Sequence, residues 1–269
     1  VGNRARQLAT GFDKVDRSHE RFKKLVEIQR EQFQKLHRYP EKRAGLLTVC
    51  CELLQLYFKV QQVGQCGYLI AALHKNHRKA DLETLPKAVA VTLCFYWGKF
   101  SVVGDHVVEA NDKLSWALAH CPPAQAANRR RILTYLIPCR LRLGQVPSQA
   151  LLKKHKLDGL FEGLCIAART GDIQLYNKEF GMREGDLIRL GLFATVEKLK
   201  LLVYRNLCCQ VYKAVASEME ALGQKPHQQD LACYEHVFSW QDDCDEDETT
   251  CILANLIFMN GLRGYLSDR

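Results

Sequence analysis

Glu248-Thr-Thr-Cys-Ile-Leu-Ala-Asn-Leu-Ile-Phe-Met259, with Gly261-Leu-Arg-Gly-Tyr-Leu-Ser267 directly after it, breaks the character of a chain that otherwise reads as one helical hairpin after another. Ile252, Leu253, Leu256 and Ile257 follow a 3.6-residue period, which predicts a helix with an inward apolar face. Cys251, Ala254 and Phe258 make the opposite side apolar too, as expected of a short helix held between two packing surfaces. The glycine-flanked apolar residues that follow read as a strand. Upstream, Gln228–Trp240 reads as another short helix, joined to this one by an acidic capping loop. Helix, loop, helix, strand is the order of a winged helix. Only one wing strand is present, so the wing is expected to be truncated.

Working back from that module, Leu192, Val196, Leu199, Val203, Leu207, Val211 and Val215 make a continuous stripe that predicts one long helix, Leu187–Ala221. Lys198 and Arg205, seven apart, would share another face of it. Before it, Leu160–Arg169 stops at Gly171, and Asp172 is placed to N-cap Ile173–Phe180. Asn128–Leu143 is a helix that Pro138 must kink or restart. Gly144–Pro147 is a turn, after which Ser148 caps Gln149–His155. Leu85–Trp97 and Val102–Cys121 pair around Gly98-Lys99-Phe100, and Gly98 with Ala110, Leu114 and Ala117 resembles the small-residue packing of tetratricopeptide hairpins. Asp13–His37, Glu41–Val63 and Cys66–His77 complete the series. The expected fold is mainly α: stacked helical hairpins in a tetratricopeptide-like right-handed superhelix, then a C-terminal winged helix. The expected divisions are helical repeats over 1–121, a helical core over 122–225 and the winged helix over 226–269.

With 269 residues, 47% hydrophobic and 25% charged, the chain is an ordinary globular one, which excludes a wholly disordered protein. No apolar run approaches the roughly 20 residues that span a bilayer, so no membrane role is expected. Arg4, Arg6 and Asp13 interrupt any secretory leader, and a first residue of Val suggests trimming. Twelve cysteines invite a disulfide framework, but Cys50–Cys51 and Cys208–Cys209 are adjacent and the others sit singly in apolar stretches. They read as small buried hydrophobes in a reducing compartment.

Charge is blocked. Between Pro122 and Asp158, Arg129, Arg130, Arg131, Arg140, Arg142, Lys153, Lys154 and Lys156 face only Asp158. Between Glu218 and Glu248 ten acids face only Lys225. Opposite-sign blocks suggest separate surfaces for separate partners. Three consecutive helical residues span about 300°, so Arg129–Arg131 cannot all meet one partner. The phosphate-binding and nucleophile-elbow motifs are absent, as is a His-Glu-x-x-His pair, and no enzyme is expected. Cys233, His236, Cys244 and Cys251 lack the tight knuckle spacing of structural zinc, so neither metal nor cofactor is expected.

Four segments carry a family likeness. Arg131-Ile-Leu-Thr-Tyr-Leu-Ile-Pro-Cys-Arg-Leu-Arg-Leu-Gly-Gln-Val-Pro147, Glu197-Lys-Leu-Lys-Leu-Leu-Val-Tyr-Arg-Asn206 and Cys251–Met259 with Gly264-Tyr-Leu266 resemble the PCI-domain subunit of transcription-and-export complex 2, as does Leu151–His155. The likeness implies a non-enzymatic subunit at the nuclear pore. It would pair with a larger scaffold subunit of PCI fold and a small acidic disordered protein, and would present a nucleic-acid platform. A homo-oligomer is not expected. The helix 248–259 has no Lys or Arg and an acidic entry, so it is expected to meet protein rather than bases. Cys251, Ala254, Phe258, Tyr265 and Leu266, with Arg129 and Arg130, are the candidate partner contacts. Lys153, Lys154, Lys156, Lys198, Lys200, Arg205 and Arg263 are the candidate contacts to RNA or DNA phosphates. The competing expectation is a protein-only scaffold of the proteasome-lid or signalosome type.

Overall fold

The computed structural model describes residues 20–76, 82, 83 and 85–267, and these are helical with no strand among them. None of the described helices is long and apolar enough to cross a membrane. The chain divides after Leu136 into two compact units.

In the first unit α1 (Glu20–His37), α2 (Arg43–Lys59), α3 (Cys66–Asn76), α4 (Lys87–Val103) and α5 (Val107–His120) follow in order. Helix α1 packs on α2, α2 on α4, and α4 most extensively on α5. Where the periodicity put a break at Gly98-Lys99-Phe100, α4 runs straight through, and the turn is made by Gly104, Asp105 and His106. Asp105 takes the left-handed conformation at φ 62°. Gly98 serves contact instead: a Cβ there would lie 2.6 Å from Leu114 Cγ, so only glycine lets α5 approach this closely. The hairpin is also clamped by polar groups. Trp97 Nε1 donates to Glu109 Oε1 at 2.9 Å and Ser101 Oγ to Glu109 Oε2 at 2.8 Å. Lys113 Nζ lies 3.8 Å over the Trp97 ring.

Helix α6 (Ala126–Arg142) is continuous through Pro138 rather than restarting there. In the second unit come α7 (Gln149–Lys154), α8 (Asp158–Thr170), α9 (Ile173–Leu190), α10 (Phe193–Glu197), α11 (Lys200–Ala221), α12 (Ala232–Asp242) and α13 (Glu246–Phe258). The expected caps form. Ser148 Oγ accepts from Leu151 N at 3.3 Å, and Asp172 Oδ1 accepts from Leu175 N at 2.8 Å. Gly171 adopts φ 70°, and a Cβ on it would lie 2.5 Å from Leu207 N, so this turn is seated against the backbone of α11.

The single long helix expected over 187–221 is three pieces. Gly191, at φ 72°, ends α9, and α10 and α11 follow. The apolar stripe survives the breaks: Leu192, Val196, Leu199, Val203, Leu207 and Val211 are all buried. Periodicity reported which residues face inward, and the left-handed glycine set where the axis changes.

The twelve cysteines are all free and nine are buried. Burial pushes the thiols of Cys50, Cys66, Cys94, Cys165 and Cys208 up to about 12, so they are neutral packing groups.

Candidate functional site

The site expected to meet partners is built on α13, and its entry is a capping box. Asp245 Oδ1 accepts from Glu248 N at 2.8 Å, and Glu248 Oε2 accepts from Asp245 N at 3.3 Å. The helix therefore begins two residues earlier than its apolar pattern, with Glu246, Asp247 and Glu248 in the first turn against the positive end of its dipole. Thr249, Leu253 and Leu256 are buried, and α13 packs on α11 and α12. Cys251 and Ala254 are exposed, and Phe258 is 85% exposed. Leu266 is also exposed, and Tyr265 is 85% exposed.

The strand expected over 261–267 is not formed; the segment is bends and irregular chain. A single strand has no ladder to complete, and its backbone groups are satisfied in other ways. Gly261 N donates to Leu256 O at 2.7 Å, closing the end of α13, and Asn260 takes φ 56°. Arg205 Nε, from α11, donates to Gly261 O at 3.0 Å and ties the segment down.

Asp242 at the end of α12 holds this corner of the unit together. It accepts from the Tyr204 hydroxyl, pairs with Lys200 Nζ at 2.8 Å and accepts from Asn177 Nδ2 at 2.5 Å. Burial alone would raise its carboxyl, but the hydrogen bonds from Lys200, Tyr204 and Asn177 together hold it below the ordinary carboxylate range. Burial first, then the bond to Asp242, drive the Tyr204 phenol upward. One residue earlier, Gln241 Oε1 accepts from Ile173 N at 3.0 Å, meeting an orphan donor at the start of α9.

The basic candidates separate by what they touch. Lys200 is half-buried and committed to Asp242, so its positive charge is neutralised inside the fold rather than offered to phosphate. Lys198 is exposed in the turn before α11, not on α11, and so does not share a helical face with Arg205. Arg129 points inward: Nη1 donates to Leu118 O at 3.0 Å and Cys121 O at 2.7 Å, finishing the C-terminal end of α5. Of the partner candidates in the arginine run, Arg130 is exposed. Lys153, Lys154 and Lys156 are exposed at and just beyond the end of α7, and Arg263 is exposed beside the tethered segment. Cys233, His236, Cys244 and Cys251 do not converge, and no group of three or more potential metal ligands exists among the described residues.

Trp240, 68% exposed on α12, went unnoticed in the sequence. Its polar neighbours Ser239 and Gln241 were the available signal.

No family model matches the chain. Among curated proteins it is 34% identical to Enhanced ethylene response protein 5 of Arabidopsis thaliana over 229 residues, 85% of this chain and 54% of that protein. It is 34% identical to PCI domain-containing protein 2 of Xenopus laevis over 230 residues, with the same 85% and 54% shares. Protein CSN12 homolog of Gibberella zeae is 29% identical over 234 residues, 83% of this chain and 51% of that protein. The chain thus spans about half the length of the curated relatives it matches.

Proposed function

From relatives that support a PCI-domain protein of scaffold type, we propose that this chain is a non-enzymatic adaptor subunit of the nuclear mRNA-export machinery. Its repeats over 1–121 and core over 122–225 carry a partner-binding module over 226–269. In this reading the module docks a larger scaffold subunit of PCI fold, a small acidic disordered subunit binds alongside, and the assembly holds RNA or DNA through phosphates at the nuclear pore.

The observation that carries the reading is the outward apolar side of α13. Phe258 and Tyr265 are each 85% exposed and Cys251 and Ala254 are open to solvent, whereas the same helix seats Leu253 and Leu256 in the unit. Exposed apolar residues on the outward side of a helix that is seated by its other side are what a protein contact needs. The acidic first turn repels phosphate, so nucleic acid would meet Lys153, Lys154, Lys156, Lys198, Arg205 and Arg263 instead. Co-expression with the scaffold and acidic subunits, then size exclusion, tests it. Phe258→Asp with Tyr265→Asp should release the scaffold, and retention of the complex by that double variant would refute the docking surface.

A second reading, a protein-only scaffold, is favoured by one specific feature: the internal pairing of Lys200 with Asp242 removes a central cation from the candidate phosphate surface. Absence of any RNA binding by the purified assembly at low salt would select it.

A further inference from the structure

Helix α11 runs on past the residues that pack it into the second unit. Tyr204, Cys208 and Val211 lie on its buried side, and that side continues at helical spacing as Val215, Met219 and Leu222. Beyond Val211 the burial stops. None of residues 212–222 is buried: Tyr212 is 45% and Leu222 73% exposed, and Val215 and Met219 are half-exposed. This end is nonetheless a finished helix rather than a frayed one. Gly223, at φ 69°, stops it, and Gln224 N donates to Met219 O at 2.8 Å. The returning chain meets α11 at the foot of this stretch, where Gln229 Nε2 donates to Tyr212 O at 3.0 Å. The last turns of α11 thus carry the stripe of a core face with little of the unit against it. Helices in water are held mainly by packing of their apolar side, so the unit alone supports this stretch poorly.

We propose that Tyr212, Val215, Met219 and Leu222 are the docking stripe for a helix of a partner protein, apolar along one side and bearing Lys or Arg beside that side. The shape follows from spacing. Residues 212, 215, 219 and 222 recur at intervals of three and four, which a second helix matches along its own apolar stripe. The charge follows from Glu218 and Glu220. Both are exposed and stand on opposite sides of the stripe near its tip, whereas Lys213 is at its foot. Carboxylates flanking an apolar seam select basic residues on the partner helix. They oppose phosphates and acidic segments alike, so this surface suits neither nucleic acid nor an acidic chain. It lies beyond Arg205, where α11 holds the segment that follows α13, and it does not rest on the export reading.

The probe is a fluorescein-labelled peptide of two heptads, with Leu at the core positions and Lys or Arg on either side, titrated with the whole 269-residue chain and followed by anisotropy. One control peptide keeps the Leu positions with Glu at the flanks, and another keeps the basic composition in scrambled order. The basic peptide should bind about tenfold tighter than either control. Met219→Asn with Leu222→Asn should weaken it about tenfold and leave the thermal midpoint unchanged. Glu218→Lys with Glu220→Lys should turn the preference toward the acidic control. Amide hydrogen exchange on the parent chain needs no variant: residues 212–222 should exchange fast in the free protein and slowly with the basic peptide bound. Unchanged exchange there with excess peptide overturns the proposal. So does an absence of binding, or equal affinity for the basic and scrambled peptides. Equal affinity of the parent and the Met219→Asn, Leu222→Asn variant does the same. Dimers in sedimentation that vanish in that variant would also overturn it, since the occupant of the stripe would then be a second copy of this chain.

Discussion

Gly98 and Leu114 are in contact at a distance no other residue at position 98 would permit: a Cβ would sit 2.6 Å from Leu114 Cγ and 3.3 Å from Leu114 N. Leu114 is fully buried and has nowhere to move. Gly98→Ala should therefore destabilise the first unit. Alanine gains about 1 kcal/mol of helix propensity, but forcing a methyl into a packed core costs about 1–3 kcal/mol. The expected net loss is between about 0 and 2 kcal/mol in urea unfolding, and an increase in stability would contradict the packing described.

Acid should loosen the second unit through Asp242. Its carboxyl lies below the ordinary range in the folded chain. The stabilisation it contributes is therefore complete above the unfolded carboxylate value of about 4 and is lost as pH falls through the lower folded value. Asp242→Asn should lower stability at neutral pH by about 2 kcal/mol, because Lys200 loses a charged hydrogen-bond partner. It should also flatten the decline in stability below about pH 4. Urea midpoints from pH 7 to pH 2.5 would show this, and parallel profiles for parent and variant would exclude it.

Exposed and committed bases should behave differently toward nucleic acid. Lys153→Glu, Lys154→Glu and Arg263→Glu together should reduce the slope of log K against log salt for single-stranded RNA by about 2, at roughly 0.7 per phosphate contact. Lys200→Gln should instead lower the urea midpoint with the slope unchanged, since its partner is Asp242. A smaller slope in Lys200→Gln would mean that the ion pair opens to admit phosphate.

Thiol reactivity should report burial directly. Cys251 is the exposed cysteine of the twelve, while nine are buried. Ellman's reagent should modify Cys251 first, and a Cys251→Ser variant should lose that fast phase. The thiols pushed up to about 12 should react only on unfolding.

Much of the local structure was legible from short-range chemistry. Ser148 and Asp172 could be named as caps and Gly171 as a stop, because each role needs only the residue and its immediate neighbours. The inward faces of the second unit were also legible, since burial of Leu192 through Val211 follows their spacing. Axis changes were less so. Gly98 read as a turn and is a contact, while Gly191 lay unnoticed inside an uninterrupted apolar stripe. A glycine's letter is the same whether it supplies a left-handed turn or an empty place for a neighbour.

By itself, the order of residues determined that this protein is helical, that its cysteines pack rather than bridge, and that α13 would carry apolar residues on both sides. These follow from periodicity and composition, which each segment holds alone. Only tertiary structure decided which charges remain available. Arg129 turns to the carbonyls that end α5 and Lys200 to Asp242, Arg205 holds Gly261 through one nitrogen while staying exposed, and Lys99 is left among aromatic rings. A cation's role depends on the acceptor folding brings to it, and those acceptors are as far as 56 positions away along the chain.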